Sequence, residues 1–265
     1  MTMRWPFGLR RGSMRGRLIF ALDVDSIAAA KAFTERLVAE VGMFKVGKQL
    51  FLHAGPQIVR MIRERGGEVF LDLKFHDIPR TVAKAAAEAT RMGVRMFDVH
   101  ASGSFEMMQR TTAEITKVCR TEGLRRPKVL AVTVLTSLSR EDLKRVGVTS
   151  GVENQVVRLA RLAHEAGMDG AVASPQEIVA IRKECGRGFL IVTPGIRLHG
   201  ATWEDQKRVT TPEVAIRAGA DYLVVGQPIR DAADPVAAAR EVVASMERGL
   251  GAAERPRLPG GSPGL

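Results

Sequence analysis

Short apolar runs rich in Val, Ile, Leu and Phe recur along this chain, and longer segments with apolar positions at helical spacing separate them. The runs at 17–24, 43–48, 68–74, 96–101, 128–135, 170–174, 190–196 and 221–227 read as strands. The segments at 27–41, 56–65, 82–92, 106–121, 152–166, 175–184, 212–218 and 235–248 read as helices. Thr211 before Pro212 is a helix start: a hydroxyl cap, then a proline where no N–H is needed. Strict alternation of strand and helix predicts a parallel sheet covered by helices. Eight such units match an α/β fold of the (β/α)8 TIM-barrel type, a single domain of typically ~250 residues. A doubly wound open sheet is the alternative. It would carry a glycine-rich dinucleotide loop after the first strand, where this chain has ALDVDS.

The ends look different. Residues 1–16 are basic and residues 249–265 contain five Gly and three Pro. Both are expected to be disordered extensions of a catalytic barrel at 17–248, and Met14 is a candidate for the true start of translation in place of Met1.

Composition narrows the function classes. No apolar run approaches the ~20 residues of a membrane span. The stretch at 18–22 ends at Asp23 and is too short for a signal peptide. Cys119 and Cys185 lack metal-site or redox-motif spacing and read as thiols in a reducing compartment. A cytoplasmic protein without membrane contact is expected. The formal charge of +11 points toward nucleic acid, but four arginines without an acid sit in residues 1–16. The remainder mixes signs, and aromatics make up 5% of the chain, too few for a base-stacking platform. An anionic small molecule fits this field as well.

The chemistry concentrates in FLDLKFHDIP at 70–79. Asp72 and Lys74 are two apart on a strand and point the same way; Asp77 follows where the strand gives out. Buried charges cost several kcal/mol unless paired, so such a cluster marks a site. Barrel enzymes work at the C-terminal strand ends. There this chain places Asp23, Lys45, Asp72, Lys74, Thr136, Arg197, Gly226 and Gln227. Arg197 and Gly226 stand at the seventh and eighth strand ends, where barrels hold phosphate. The polar segment 198–210, with Gln206, suits a lid. His100 reads as a satisfied core histidine. His76 has no second histidine at metal spacing, and no metal is expected.

ALDV at 21–24, FKVG at 44–47, DLKFHDIP at 72–79, VTVLTS at 132–137, TPGIR at 193–197 and VVG at 224–226 together resemble the orotidine 5′-phosphate decarboxylase family. The resemblance spans about 17–248. It implies a homodimeric barrel converting orotidine 5′-monophosphate to UMP and CO2 in pyrimidine biosynthesis, without metal or organic cofactor. It further implies a charged tetrad of Lys45, Asp72, Lys74 and Asp77. In it Lys74 is the proton donor and Asp77 reaches into the partner's site. Asp23 and Lys45 would contact the ribose, Thr81 and Thr136 would hold the nucleotide, and Arg197 and Gln206 would engage phosphate and lid.

One position departs from the family, which usually has Arg after the glycine of the eighth strand; here it is Gln227. A neutral amide lacks the charged bidentate fork. Arg230 stands in for it if the backbone turns helical there. Two rival readings are a Mg2+-dependent sugar-phosphate relative, which needs a Glu at the place of Lys45, and a basic non-catalytic binding protein.

Overall fold

The computed structural model describes residues 13–198 and 210–253. Eight parallel strands close into a barrel in sequence order. They are β1 (Leu18–Ala21), β2 (Met43–Gly47), β3 (Val69–Phe75), β4 (Met96–His100), β5 (Lys128–Val132), β6 (Gly170–Val172), β7 (Leu190–Thr193) and β8 (Tyr222–Val225). The helices around them are α1 (Ile27–Leu37), α2 (Lys48–Ala54), α3 (Gln57–Glu64), α4 (Pro79–Arg91), α5 (Phe105–Glu122) and α6 (Arg140–Arg145). They continue with α7 (Val152–Glu165), α8 (Ile178–Cys185), α9 (Pro212–Ala218), α10 (Gln227–Arg230) and α11 (Pro235–Ala253). The alternation of apolar runs thus reports the architecture correctly. Strands covered on both faces lose their polar alternation, and β1, β7 and β8 are buried at every position.

Two apolar clusters divide the interior. The larger lies between sheet and helices and contains Phe20, Phe44, Leu71 and Phe97. The smaller fills the barrel with Ile19, Met43, Phe70, Met96 and Leu130. Side chains two residues further along each strand share that inward face. Met43 is therefore followed by Lys45, Phe70 by Asp72 and Lys74, and Met96 by Asp98 and His100. An apolar floor gives way to a charged layer toward the C-terminal mouth.

Both ends of the barrel extend past the expected boundaries. Residues Met14–Arg17 form a 3-10 turn with Met14 buried, so the packed chain begins before residue 17. A side chain at Gly42 would collide with the Gly16 carbonyl, which shows how closely this turn seats. At the other end α11 runs on to Ala253, past residue 248. Leu250 packs on the core, and Gly249 lies against the Glu213 carbonyl. Thr211 caps α9 as expected, its hydroxyl accepting from the Val214 N–H at 3.4 Å. No helix among the described residues is long and apolar enough to cross a membrane.

Candidate active site

At the C-terminal mouth lies a cavity of about 370 Å³. Its walls include Asp23, Lys45, Asp72, Lys74, Thr136 and Arg197, with Gly226, Gln227 and Arg230 at the eighth strand. Asp23 and Thr136 sit on the loops past β1 and β5, because these strands stop at Ala21 and Val132, earlier than the runs 17–24 and 128–135 suggest.

The floor is an ion-pair chain. The Lys45 ammonium lies 3.1 Å from Asp23 Oδ1 and 3.2 Å from Asp72 Oδ2. The Lys74 ammonium pairs with the other Asp72 oxygen, Oδ1. Asp72 is thus held between two lysines, and its side chain is 12% exposed. Burial pushes its carboxyl upward, but the two ammonium groups prevail and hold it down at about 2. Burial likewise lowers Lys45, and Asp72 and Asp23 outweigh it, so Lys45 stays above its ordinary value. Both partners are charged at neutral pH.

Lys74 reaches this position through an unusual backbone. Its φ is 50°, in the left-handed region that side-chain-bearing residues seldom enter, at a cost of about 1–3 kcal/mol. The β3–β4 ladder slips there: Leu71 pairs with Phe97, and the next pair is Phe75 with Val99. The Lys74 N–H instead donates to Asp98 Oδ1 at 2.8 Å. Sequence reasoning missed Asp98. The available signal was a lone carboxylate in the apolar run MFDVH, at the inward phase shared with Met96 and His100. His100 is half-buried, its ring tilted against that of His76 with centroids 5.3 Å apart. Burial, then the nearby His76 and Lys74, lower it to about 4, so it is neutral at pH 7.

At the ends of β7 and β8 the cavity is lined by Gly195, Arg197, Gly226, Gln227 and Arg230. Arg197 Nη1 donates to the Ile196 carbonyl and Nη2 reaches Gln227 Oε1 at 3.5 Å. Its Nε is buried and finds no partner among the described residues. Gly195 takes a left-handed φ of 77°, and a Cβ on Gly226 would stand 3.1 Å from that of Ala21. Both glycines let the backbone come close to a ligand. The backbone does turn helical after Gly226, which carries Arg230 to the cavity wall. There Arg230 bonds to Asp231 and to the Asp23 carbonyl.

Two expected site residues lie apart. Asp77 is exposed, does not line the cavity, and accepts from the Ile78 N–H at 2.6 Å. Thr81, in the first turn of α4, is also exposed and outside the cavity. Gln206 and most of the 198–210 segment lie outside the described residues. The ends of that segment meet, with the Arg197 N–H donating to the Thr210 carbonyl at 3.0 Å.

The chain is similar to proteins named orotidine 5′-phosphate decarboxylase along most of its length. A protein from Geobacter sulfurreducens named orotidine 5′-phosphate decarboxylase is 55% identical over 241 residues, covering 91% of this chain and all of the relative. One of the same name from Syntrophotalea carbinolica is 56% identical over 236 residues, 89% of this chain and 97% of its own. The crystal structure of orotidine 5′-phosphate decarboxylase from Lactobacillus acidophilus superposes with a TM-score of 0.77 at 34% identity, covering 86% of this chain and 98% of that one. Residues 16–242 match the sequence model of the orotidine 5′-phosphate decarboxylase / HUMPS family. With the barrel, the paired lysines on Asp72 and this match in agreement, the chain belongs to the orotidine 5′-phosphate decarboxylase / HUMPS family.

Proposed function

We propose that the cavity binds orotidine 5′-monophosphate and decarboxylates it to UMP and CO2, with Lys74 supplying the proton that replaces the carboxylate. The family match and the close relatives carry the enzyme class, a carboxy-lyase. The Lys45–Asp72–Lys74 chain is the observation that carries the roles. When the C6–CO2 bond breaks, its electron pair stays on C6 in the ring plane, where ring delocalisation cannot spread it. An ammonium beside that carbon stabilises the charge and then transfers a proton to it. Asp72 helps to hold Lys45 cationic and pairs with the Lys74 ammonium. Asp23 and Lys45 are placed for the ribose hydroxyls and Thr136 for the nucleotide. Arg197, Gln227 and the backbone at Gly195 and Gly226 form a seat for the phosphate, and that remote grip lowers the barrier at the reacting carbon.

The test is loss of orotidine 5′-monophosphate absorbance in the presence of EDTA, with Lys74→Ala as control. Turnover that survives EDTA and vanishes in the control supports the reading. Turnover that requires a divalent metal, or none at millimolar substrate, overturns it.

Asp77 and Thr81 serve a partner's site in this reading. That accounts for an acid of the DLKFHDIP block lying exposed outside its own cavity. The protein is then a homodimer, and inactive Lys74→Ala and Asp77→Ala subunits complement each other. Equal mixing with subunit exchange should restore about a quarter of wild-type activity, since half the dimers are mixed and each holds one intact site. Mixtures no more active than their components would assign Asp77 to its own subunit.

Gln227 predicts a defect at the phosphate. A neutral hydrogen bond contributes ~0.5–1.5 kcal/mol against ~1.5–3 for a charged one. Gln227→Arg should therefore raise kcat/KM by roughly tenfold, mainly through KM. An unchanged value would mean that Arg197 and Arg230 already supply the charge.

A further inference from the structure

Asp98 is 1% exposed, lines the cavity, and belongs to none of the roles given above. Two of its neighbours explain why a carboxyl stands there. Where the β3–β4 ladder slips between Leu71 and Phe75, the Lys74 N–H loses a backbone acceptor, and Asp98 Oδ1 takes its place at 2.8 Å. The Asp98 carboxyl also lies within hydrogen-bonding reach of the Asp72 carboxyl. On β5 its register partner is the apolar Leu130.

We propose that Asp98 is a positioning residue for the decarboxylation, its side chain fixing the left-handed backbone of Lys74 with one oxygen and the Asp72 carboxylate with the other. The inference rests on the reading of Lys74 as proton donor. Two carboxyls in contact inside a protein do not both ionise, and one proton is shared between them. Asp72 has Lys45 and Lys74 to hold its charge, so Asp98 keeps the proton and donates it toward Asp72. Burial, and then the charge of Asp72, push Asp98 upward in agreement with this assignment. The group is thus an acceptor for one partner and a donor for the other. Without it the β3 end has no reason to keep its strained turn at Lys74, and the ammonium swings away from the reacting carbon. A misplacement of about 1 Å at such a centre costs on the order of 10²-fold in rate.

An asparagine offers the same acceptor and donor without charge, and a leucine of similar size offers neither. Asp98→Leu should lower kcat on the order of 10²-fold, with KM and UMP affinity within about threefold of wild type. Asp98→Asn should restore most of that loss. If the leucine variant does not fold, Asp98→Ser, too short to span both partners, reads the same contrast. A leucine variant with wild-type kcat overturns the assignment, as does an asparagine variant as impaired as leucine. So does a loss that appears equally in KM and thermal stability, which marks a merely structural role. A wild-type protein without turnover sinks the decarboxylase reading and this assignment with it. An active wild type with an unaffected leucine variant sinks this assignment alone.

Discussion

Lys74→Ala is expected to lower kcat by on the order of 10⁴-fold or more, the combined scale of a lost proton donor and a lost electrostatic contact at the developing charge. Substrate affinity should change much less, because the phosphate seat proposed at Arg197, Gln227 and Gly226 does not include Lys74. The fold should survive, since Asp72 retains Lys45 at 3.2 Å and is not left as an unpaired buried charge. Lys74→Arg separates charge from proton transfer. Its guanidinium keeps the positive charge but does not release a proton in a protein, so it should be nearly as impaired. Steady-state kinetics with thermal denaturation as a folding control decides the matter. An alanine variant within tenfold of wild type would remove Lys74 from the chemistry, and an active arginine variant would leave it only an electrostatic part.

Asp72→Asn should cost about 10³-fold in kcat, together with a change in the pH profile. Asp72 supplies the strongest charge attraction among the influences that offset the burial of Lys45. Without it burial prevails, Lys45 loses its proton at lower pH, and the alkaline limb of activity moves down. The stability effect has a definite sign. The Asp72 carboxyl is held at about 2, below its ordinary value of 3.8, so the unfolded chain binds more protons between those values. Its stabilising contribution is complete above pH 4 and is lost as pH falls toward 2. The wild type should therefore exceed Asp72→Asn by on the order of 3 kcal/mol at neutral pH, a gap that closes in that acid window. Denaturation of both proteins across pH measures it. A gap independent of pH down to 2 would show that the ion pairs do not carry the difference.

Part of this site is legible without coordinates because strand geometry is simple. Side chains alternate, so Asp72 and Lys74 share a face whichever sheet they enter, and eight apolar runs separated by amphipathic segments close most readily as a barrel. The helices that escaped notice are short ones inside loops. Lys48–Ala54 follows β2 directly after Gly47 and carries no proline or hydroxyl cap, and Gln227–Arg230 is a single turn that the sequence raised only as a condition on Arg230. Their existence matters for function, since the second of them brings Arg230 to the cavity.

Sequence alone determined the barrel, its order of strands, and the charged residues of the DLKFHDIP block, because all of these follow from local periodicity and residue type. Tertiary structure decided how the charges meet. That Asp72 lies between two lysines depends on the register of β2 against β3, which sets Gly47 beside Asp72 and so turns Lys45 toward it. That Lys74 adopts a left-handed backbone, and that Asp98 receives its N–H, depends on a slip in the ladder between β3 and β4. Pairing between strands distant along the chain is a property of the closed sheet, and no local pattern in either strand records it.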